Sequence, residues 1–159
     1  LPFEDASFDL VTCRIAAHHF PDVAAFVREA ARVARPGGRV AVIDNIVPED
    51  PEAAAFINAW EKRRDPSHNR ALTEVEWRGL FAGAGLTTEV VERFRKPRDF
   101  QSWIGRMPVD ASTAAQVRAM LLGSTGAARE FLRPEEDRGS LRFYLEEILI
   151  IGSRPEVLR

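Results

Sequence analysis

Cysteine is nearly absent: Cys13 is the single one in 159 residues, which excludes an intramolecular disulfide and a cysteine-rich metal site. Long apolar runs are missing as well, so nothing approaches the length of a membrane span, and no signal peptide opens the chain. Neither sign of charge is in excess. The 22 Lys and Arg against 24 Asp and Glu leave a formal net charge of −2, which gives no electrostatic basis for holding nucleic acid or a membrane surface. The three histidines and the scattered acids show no metal-ligand spacing, so no metal is expected. These absences point to a cytoplasmic protein. No repeat, low-complexity stretch or linker divides the chain, and its length suffices for one domain with a real core.

What is present begins with Leu1-Pro2-Phe3, an acidic turn and the mostly apolar run Phe8 to Ile15. That run alternates too little for a half-exposed strand and reads as one buried on both faces, with Cys13 a small core residue inside it. Polarity arrives at its end with Arg14, His18 and His19. Asp22 is a helix N-cap candidate, and Val23, Phe26, Val27, Ala30, Val33 and Ala34 form an apolar stripe at helical spacing. Pro36-Gly37-Gly38 reads as the stop of that helix, and Arg39 to Asp44 as a second strand. The result is a βαβ unit, whose chemistry belongs at the carboxyl ends of its strands.

Further on, Ala53, Phe56, Ile57 and Trp60 mark a helix whose Lys62-Arg63-Arg64 end reads as solvated. Residues 64–70 read as a loop. Thr73 with Glu76 forms a capping box, Trp77, Leu80, Phe81 and Ala84 the buried face that follows, and Gly85 the exit. Thr87 to Phe94 reads as a third strand. Short helices are expected around Phe100–Met107 and Ala114–Leu121, then a last strand over Arg142 to Ile151. The order β-α-β-α-α-β-α-α-β is an α/β pattern.

Three motifs together resemble class I S-adenosylmethionine-dependent methyltransferases, nearest the ubiquinone/menaquinone-biosynthesis type. They are Leu1-Pro-Phe-x-x-x-Ser-Phe-Asp-x-Val11, His18-His19-Phe20, and Glu29-x-x-Arg-Val-x-Arg-Pro-Gly-Gly38. The resemblance implies a Rossmann-like, mostly parallel sheet with an antiparallel last strand set beside the second strand seen here. It also implies a single partial domain over 1–159, with 97–140 as a helical lid or insertion. Neither Gly37-Gly38 nor Gly83-Ala-Gly85 lies between a strand and a helix, so the family's Gly-rich cofactor turn is not found. Together with the opening on Leu1 so close to a strand, this leads to the expectation that the N-terminal strands are absent and the chain is a C-terminal portion.

By that resemblance, Leu1, Pro2, Phe3, Arg14, Ile15, Ala16 and His19 are expected to face S-adenosylmethionine. The resemblance also implies that Arg64, His68, Asn69 and Arg70 sit in a loop on the side of a small-molecule methyl acceptor and that Phe100, Trp103 and Met107 lid the pocket. Asp44, at the end of the second strand, is placed to orient the acceptor. A histidine is the natural proton acceptor near neutral pH, which makes His19, then His18, the catalytic candidates. Each has a structural alternative, capping the strand–helix turn, and Asp44 could equally cap a loop. Two other functions stay open: a different nucleotide-binding α/β enzyme, and a non-enzymatic remnant acting through another chain. An uncovered first strand would also permit a homodimer through the open sheet edge.

Overall fold

In the computed structural model, which describes residues 1–156, a five-stranded mixed sheet carries helices on both faces. The elements are β1 (Phe8–Arg14), a 3-10 turn (Ala17–His19), α1 (Val23–Val33), β2 (Ala34–Ile46), α2 (Pro51–Arg64) and α3 (Glu74–Gly83). After them come β3 (Thr87–Asp99), α4 (Phe100–Ile104), α5 (Ala111–Leu122), α6 (Gly126–Leu132), β4 (Glu135–Asp137) and β5 (Ser140–Ser153). The strand order is β1-β2-β5-β3, with β4 paired to the start of β5. β1 runs parallel to β2, and β5 lies antiparallel between β2 and β3, as the resemblance implies.

Local signals explain most boundaries. Asp22 accepts from Ala25 N–H at 2.7 Å and starts α1, and Thr73 and Glu76 close both halves of their capping box. Even-numbered residues of β2 and β5, Val40, Val42, Ile148 and Ile150, meet α1 and α3 through Val27, Trp77 and Phe81. Phe143 and Leu145, on the opposite face of β5, join a second core with α2, α4, α5 and α6. There Trp60 stacks on Trp103 at 4.6 Å and 16°, Phe143 packs edge-on to both, and Trp60 Nε1 donates to Val117 O at 3.0 Å.

The structure corrects several expectations. β1 is not buried on both faces: it is a sheet edge, Val11 and Cys13 pack inward, and Leu10 on the other face is 54% exposed. α1 ends at Val33, before Pro36-Gly37-Gly38, because Ala34 already pairs with Phe8. The Pro-Gly-Gly run instead makes a bulge within β2, with Gly37 at φ +75° and Gly38 packed so closely that a Cβ would stand 2.8 Å from Arg35 O. β3 runs five residues past Phe94, so the helical segment inside 97–140 starts at Phe100. α6 and β4 are additional elements. Among the described residues no helix is long and apolar enough to cross a membrane.

The close approach of α3 to β5 yields a prediction. A Cβ on Gly152 of β5 would stand 2.8 Å from Cδ1 of Phe81, a ring with no exposed surface. Gly152→Ala should destabilise the fold by about 1–3 kcal/mol, read by denaturant unfolding. Adding Phe81→Leu to G152A should recover part of that loss; a loss that simply adds would contradict the contact.

Candidate active site

The turn after β1 brings polar groups against the end of β2. Ile15, held by its N–H to Ile43 O at 2.8 Å, takes φ +48°. A β-branched residue there is strained, at a cost of about 1–3 kcal/mol, and such strain is tolerated where neighbours over-determine it. The 3-10 turn follows and delivers His18 to Asp44, which is 1% exposed at the end of β2. His18 backbone N–H donates to Asp44 Oδ2 at 2.8 Å, and the His18 ring Nδ1 lies 2.5 Å from Asp44 Oδ1. Asn45 N–H also donates to Oδ1.

The loop after α2 is pinned onto the same turn. Asn69 and Arg70 N–H both donate to His18 O at 2.9 Å, Asn69 Nδ2 donates to Phe20 O, and His19 Nδ1 sits 3.1 Å from Ser67 O and Oγ. His18 lies between the other two histidines, 4.1 Å from the His19 ring and 5.5 Å from that of His68. These groups border a cleft of about 450 Å³, walled on the far side by Lys96 and Arg98 of β3, Glu147 of β5, and Trp103 with Arg106 after it.

Proton positions follow from the partners. Burial alone would lower the His18 pKa, but the hydrogen bond and charge of Asp44, helped by Glu61 and Asp65, outweigh it and hold the pKa above 6.5. The Nδ1 proton is shared with Asp44, so Nε2 is the free ring nitrogen. His68 is the opposite case. Burial, reinforced by His18 and His19, lowers its pKa to about 4. Asn58 donates from Nδ2 to Ala54 O and Ala71 O and accepts Ala71 N–H at Oδ1, so the same Oδ1 requires His68 Nε2, 2.8 Å away, to be the donor. Burial also drives Glu61 up to about 7, against Arg64 and His18, and raises Cys13, so its thiol stays protonated.

The cleft thus gathers Arg14, Ile15, His18, His19, His68 and Trp103, with Asp44 behind His18. It does not gather Asn69 and Arg70, which line a neighbouring cavity between α1 and α3, Arg70 pairing with Glu76. Ala16 is half-buried under the turn. Leu1, Pro2 and Phe3 lie at the opposite end of β1, where Arg32 of α1 donates to the carbonyls of Leu1 and Phe3. The helix end read as solvated is only partly so: Arg64 is 9% exposed, donates to Trp103 O through Nε and Nη2, and stacks 4.2 Å over the Trp103 ring. Glu61, Asn58, Lys96, Arg98, Arg106 and Glu147 escaped the sequence reading. The spacing Ile57, Trp60, Glu61, Arg64 was the available signal, since it continues one helix face.

Two histidines with opposite shifts predict opposite pH effects. His68, lowered on folding, contributes stability above pH 6.5 that is lost as pH falls toward 4. His18, raised on folding, contributes stability below pH 6.5 that is lost as pH rises through its folded value. His68→Gln, which keeps a donor for Asn58, should therefore flatten the acid loss of thermal stability between pH 6.5 and 4, whereas His18→Gln should flatten the loss as pH rises above 6.5. Parallel Tm–pH curves for the three proteins would contradict these assignments.

Known proteins resemble this chain over most of its length. A family model described as Methyltransferase domain matches residues 1–42. The chain is 38% identical over 154 residues to the uncharacterized methyltransferase YcgJ of Bacillus subtilis, covering 96% of this chain and 61% of that protein. It superposes on the YcgJ crystal structure with a TM-score of 0.92 at 37% identity, covering 99% of this chain and 68% of that one. A Bacillus halodurans structure described as a candidate methyltransferase gives a TM-score of 0.92 at 35% identity over 98% of this chain and 73% of its own. Similarity to the ubiquinone/menaquinone branch is more distant: the Brucella anthropi C-methyltransferase UbiE is 30% identical over 104 residues, 65% of this chain and 38% of that protein. On this likeness in sequence and fold, the chain belongs to the class I S-adenosylmethionine-dependent methyltransferases.

Proposed function

We propose that the cleft is the acceptor side of a small-molecule methyltransferase in which His18, oriented by Asp44, takes the proton from the acceptor. The observation that carries this is the buried pair at the carboxyl ends of β1 and β2, His18 Nδ1 to Asp44 Oδ1 at 2.5 Å. S-adenosylmethionine supplies a methyl group made electrophilic by its sulfonium. What remains for the chain is to position the acceptor, exclude water and hold a proton. His18 has the pair geometry to hold that proton, because Asp44 fixes the tautomer and steadies the imidazolium, leaving Nε2 to receive it. His19, half-exposed and leaning on Ser67, has no carboxylate partner of this kind among the described residues.

The residues present fit one end of the cofactor. Arg14 at the end of β1 borders the cleft and has no carboxylate partner among the described residues, which suits the carboxylate of the methionine part, beside Ile15 and Ala16. No strand, Gly-rich turn and helix occur in succession among the described residues to hold the adenosine part. We therefore read the chain as the acceptor-side, C-terminal portion of such an enzyme. The chain spans 61% of the length of YcgJ, which agrees with that reading. Trp103 and Met107, bordering the cleft from α4 and the residues after it, suit a lid over the acceptor.

Calorimetric titration with S-adenosylmethionine and S-adenosylhomocysteine tests the reading. Saturable binding to this chain supports a working cofactor site, and binding that appears only in a longer form supports the partial-enzyme reading. No binding in either form overturns both. In the active protein, His18→Gln or Asp44→Asn should lower kcat by about 10²–10⁴-fold while leaving cofactor affinity near wild type. A larger kcat loss in His19→Gln than in H18Q would move the role to His19.

A further inference from the structure

The wall of the cleft facing away from β1 carries more positive than negative charge, although the chain as a whole is at −2. Arg64, Lys96, Arg98 and Arg106 border it from α2, β3 and the residues after α4. Three carboxylates line the same cleft: Glu147, Glu61 and Asp65, the last accepting from Ser67 N–H and Oγ. Glu147, 7% exposed, is shared by Arg98 at 3.1 Å and Lys96 at 3.8 Å. Glu61 lies 3.8 Å from Arg64 Nη1, beyond hydrogen-bond range, and no other hydrogen-bond partner of its carboxylate occurs among the described residues. Arg106 has no carboxylate partner among the described residues.

One of these cations is already set in place. Arg64 is 9% exposed, its Nε and Nη2 are held by Trp103 O at 3.2 and 3.0 Å, and its plane lies over the Trp103 ring. A guanidinium locked by stacking and by a carbonyl keeps its remaining N–H groups in one direction, so an anion that reaches them meets little entropic cost. Structural need does not explain the surplus. Glu147 is neutralised twice over, and Arg106 is tied to nothing that holds the fold together.

We propose that this wall is an anion subsite and that the methyl acceptor carries a carboxylate or phosphate group bound there by Arg64 and Arg106, with Lys96 and Arg98 completing the field. The acceptor assignment rests on reading the cleft as the methyl-acceptor site; anion binding itself does not. The anionic end would enter between α2 and α4, and the group to be methylated would then reach toward His18 on the opposite wall. Glu61, whose carboxylate already faces Arg64, competes with the incoming anion.

The test is calorimetric titration of the whole chain at low salt with inorganic phosphate, pyrophosphate, benzoate and the neutral analogue benzyl alcohol. Saturable binding of an anion, weakened by sodium chloride and absent for benzyl alcohol, is expected, and the tighter of benzoate and pyrophosphate tells carboxylate from phosphate. Arg106→Ala, at an exposed site that does not threaten folding, should weaken binding by about tenfold. Arg28→Ala on α1 should leave it unchanged, and Glu61→Gln should tighten it. Equal binding of benzyl alcohol, no anion binding, or no effect of R106A would overturn the subsite. Displacement of the anion by S-adenosylhomocysteine would assign the wall to the cofactor's carboxylate and overturn the acceptor assignment. Cofactor binding without anion binding defeats this inference alone; anion binding with no cofactor binding in either this chain or a longer form defeats the methyltransferase reading alone.

Discussion

Asp44 holds the cleft together from inside. Its two oxygens take the His18 backbone N–H, the His18 ring and the Asn45 N–H, so a buried carboxylate at the end of β2 fixes the turn that follows β1. The His18 carbonyl, held in turn, receives the N–H groups of Asn69 and Arg70 and so fixes the loop after α2. That loop carries His68 and Ser67, the neighbours of His18 and His19. Removing one partner from such a chain of buried groups would leave several donors unsatisfied, each at a cost of about 1–3 kcal/mol. A surface ion pair such as Arg28 with Asp22, at 3.9 Å, has no comparable reach.

The same burial that makes this pair strong sorts the titratable groups around it. His18 meets a carboxylate and favours its cation; His68 meets an amide oxygen and two other imidazoles and stays neutral. Glu61, with Arg64 beyond hydrogen-bond distance, is pushed toward its neutral form, while the fixed guanidinium beside it keeps its charge. One cleft therefore offers a proton acceptor on one wall and positive charge on the other. A molecule with an anionic end and a weakly acidic reacting group would satisfy both walls at once.

Much of this was readable from the amino-acid order. The βαβ unit followed from the apolar run over Phe8 to Ile15, the stripe after Asp22 and the strand to Asp44, because period and caps are local properties. The Thr73–Glu76 capping box was legible for the same reason. Pro36-Gly37-Gly38 misled because those residue types suit a helix stop and a bulge equally, and only the pairing of Ala34 with Phe8 decides between them. β1 read as fully buried because apolar content does not reveal which strand becomes an edge. α6 was too short for periodicity, and the acidic β4 looks like no strand at all; the Arg138-Gly139 turn, with both φ angles positive, was its faint signal. At the site, His18, His19 and His68 stood out by type. Which of them meets Asp44, and that Glu61 and Arg64 turn inward, depends on contacts between α2, β3 and α4 that no local pattern encodes.

The central claim is that Asp44 holds the proton on His18 Nδ1 and leaves Nε2 bare toward the cleft. Long-range ¹H–¹⁵N correlation spectra of the imidazoles, recorded above the His18 pKa, report this directly. The account predicts the Nδ1–H tautomer for His18 and the Nε2–H tautomer for His68, with the His18 preference lost in Asp44→Asn. An Nε2–H tautomer for His18 in the unaltered protein would contradict it and remove His18 as the acceptor of the substrate's proton.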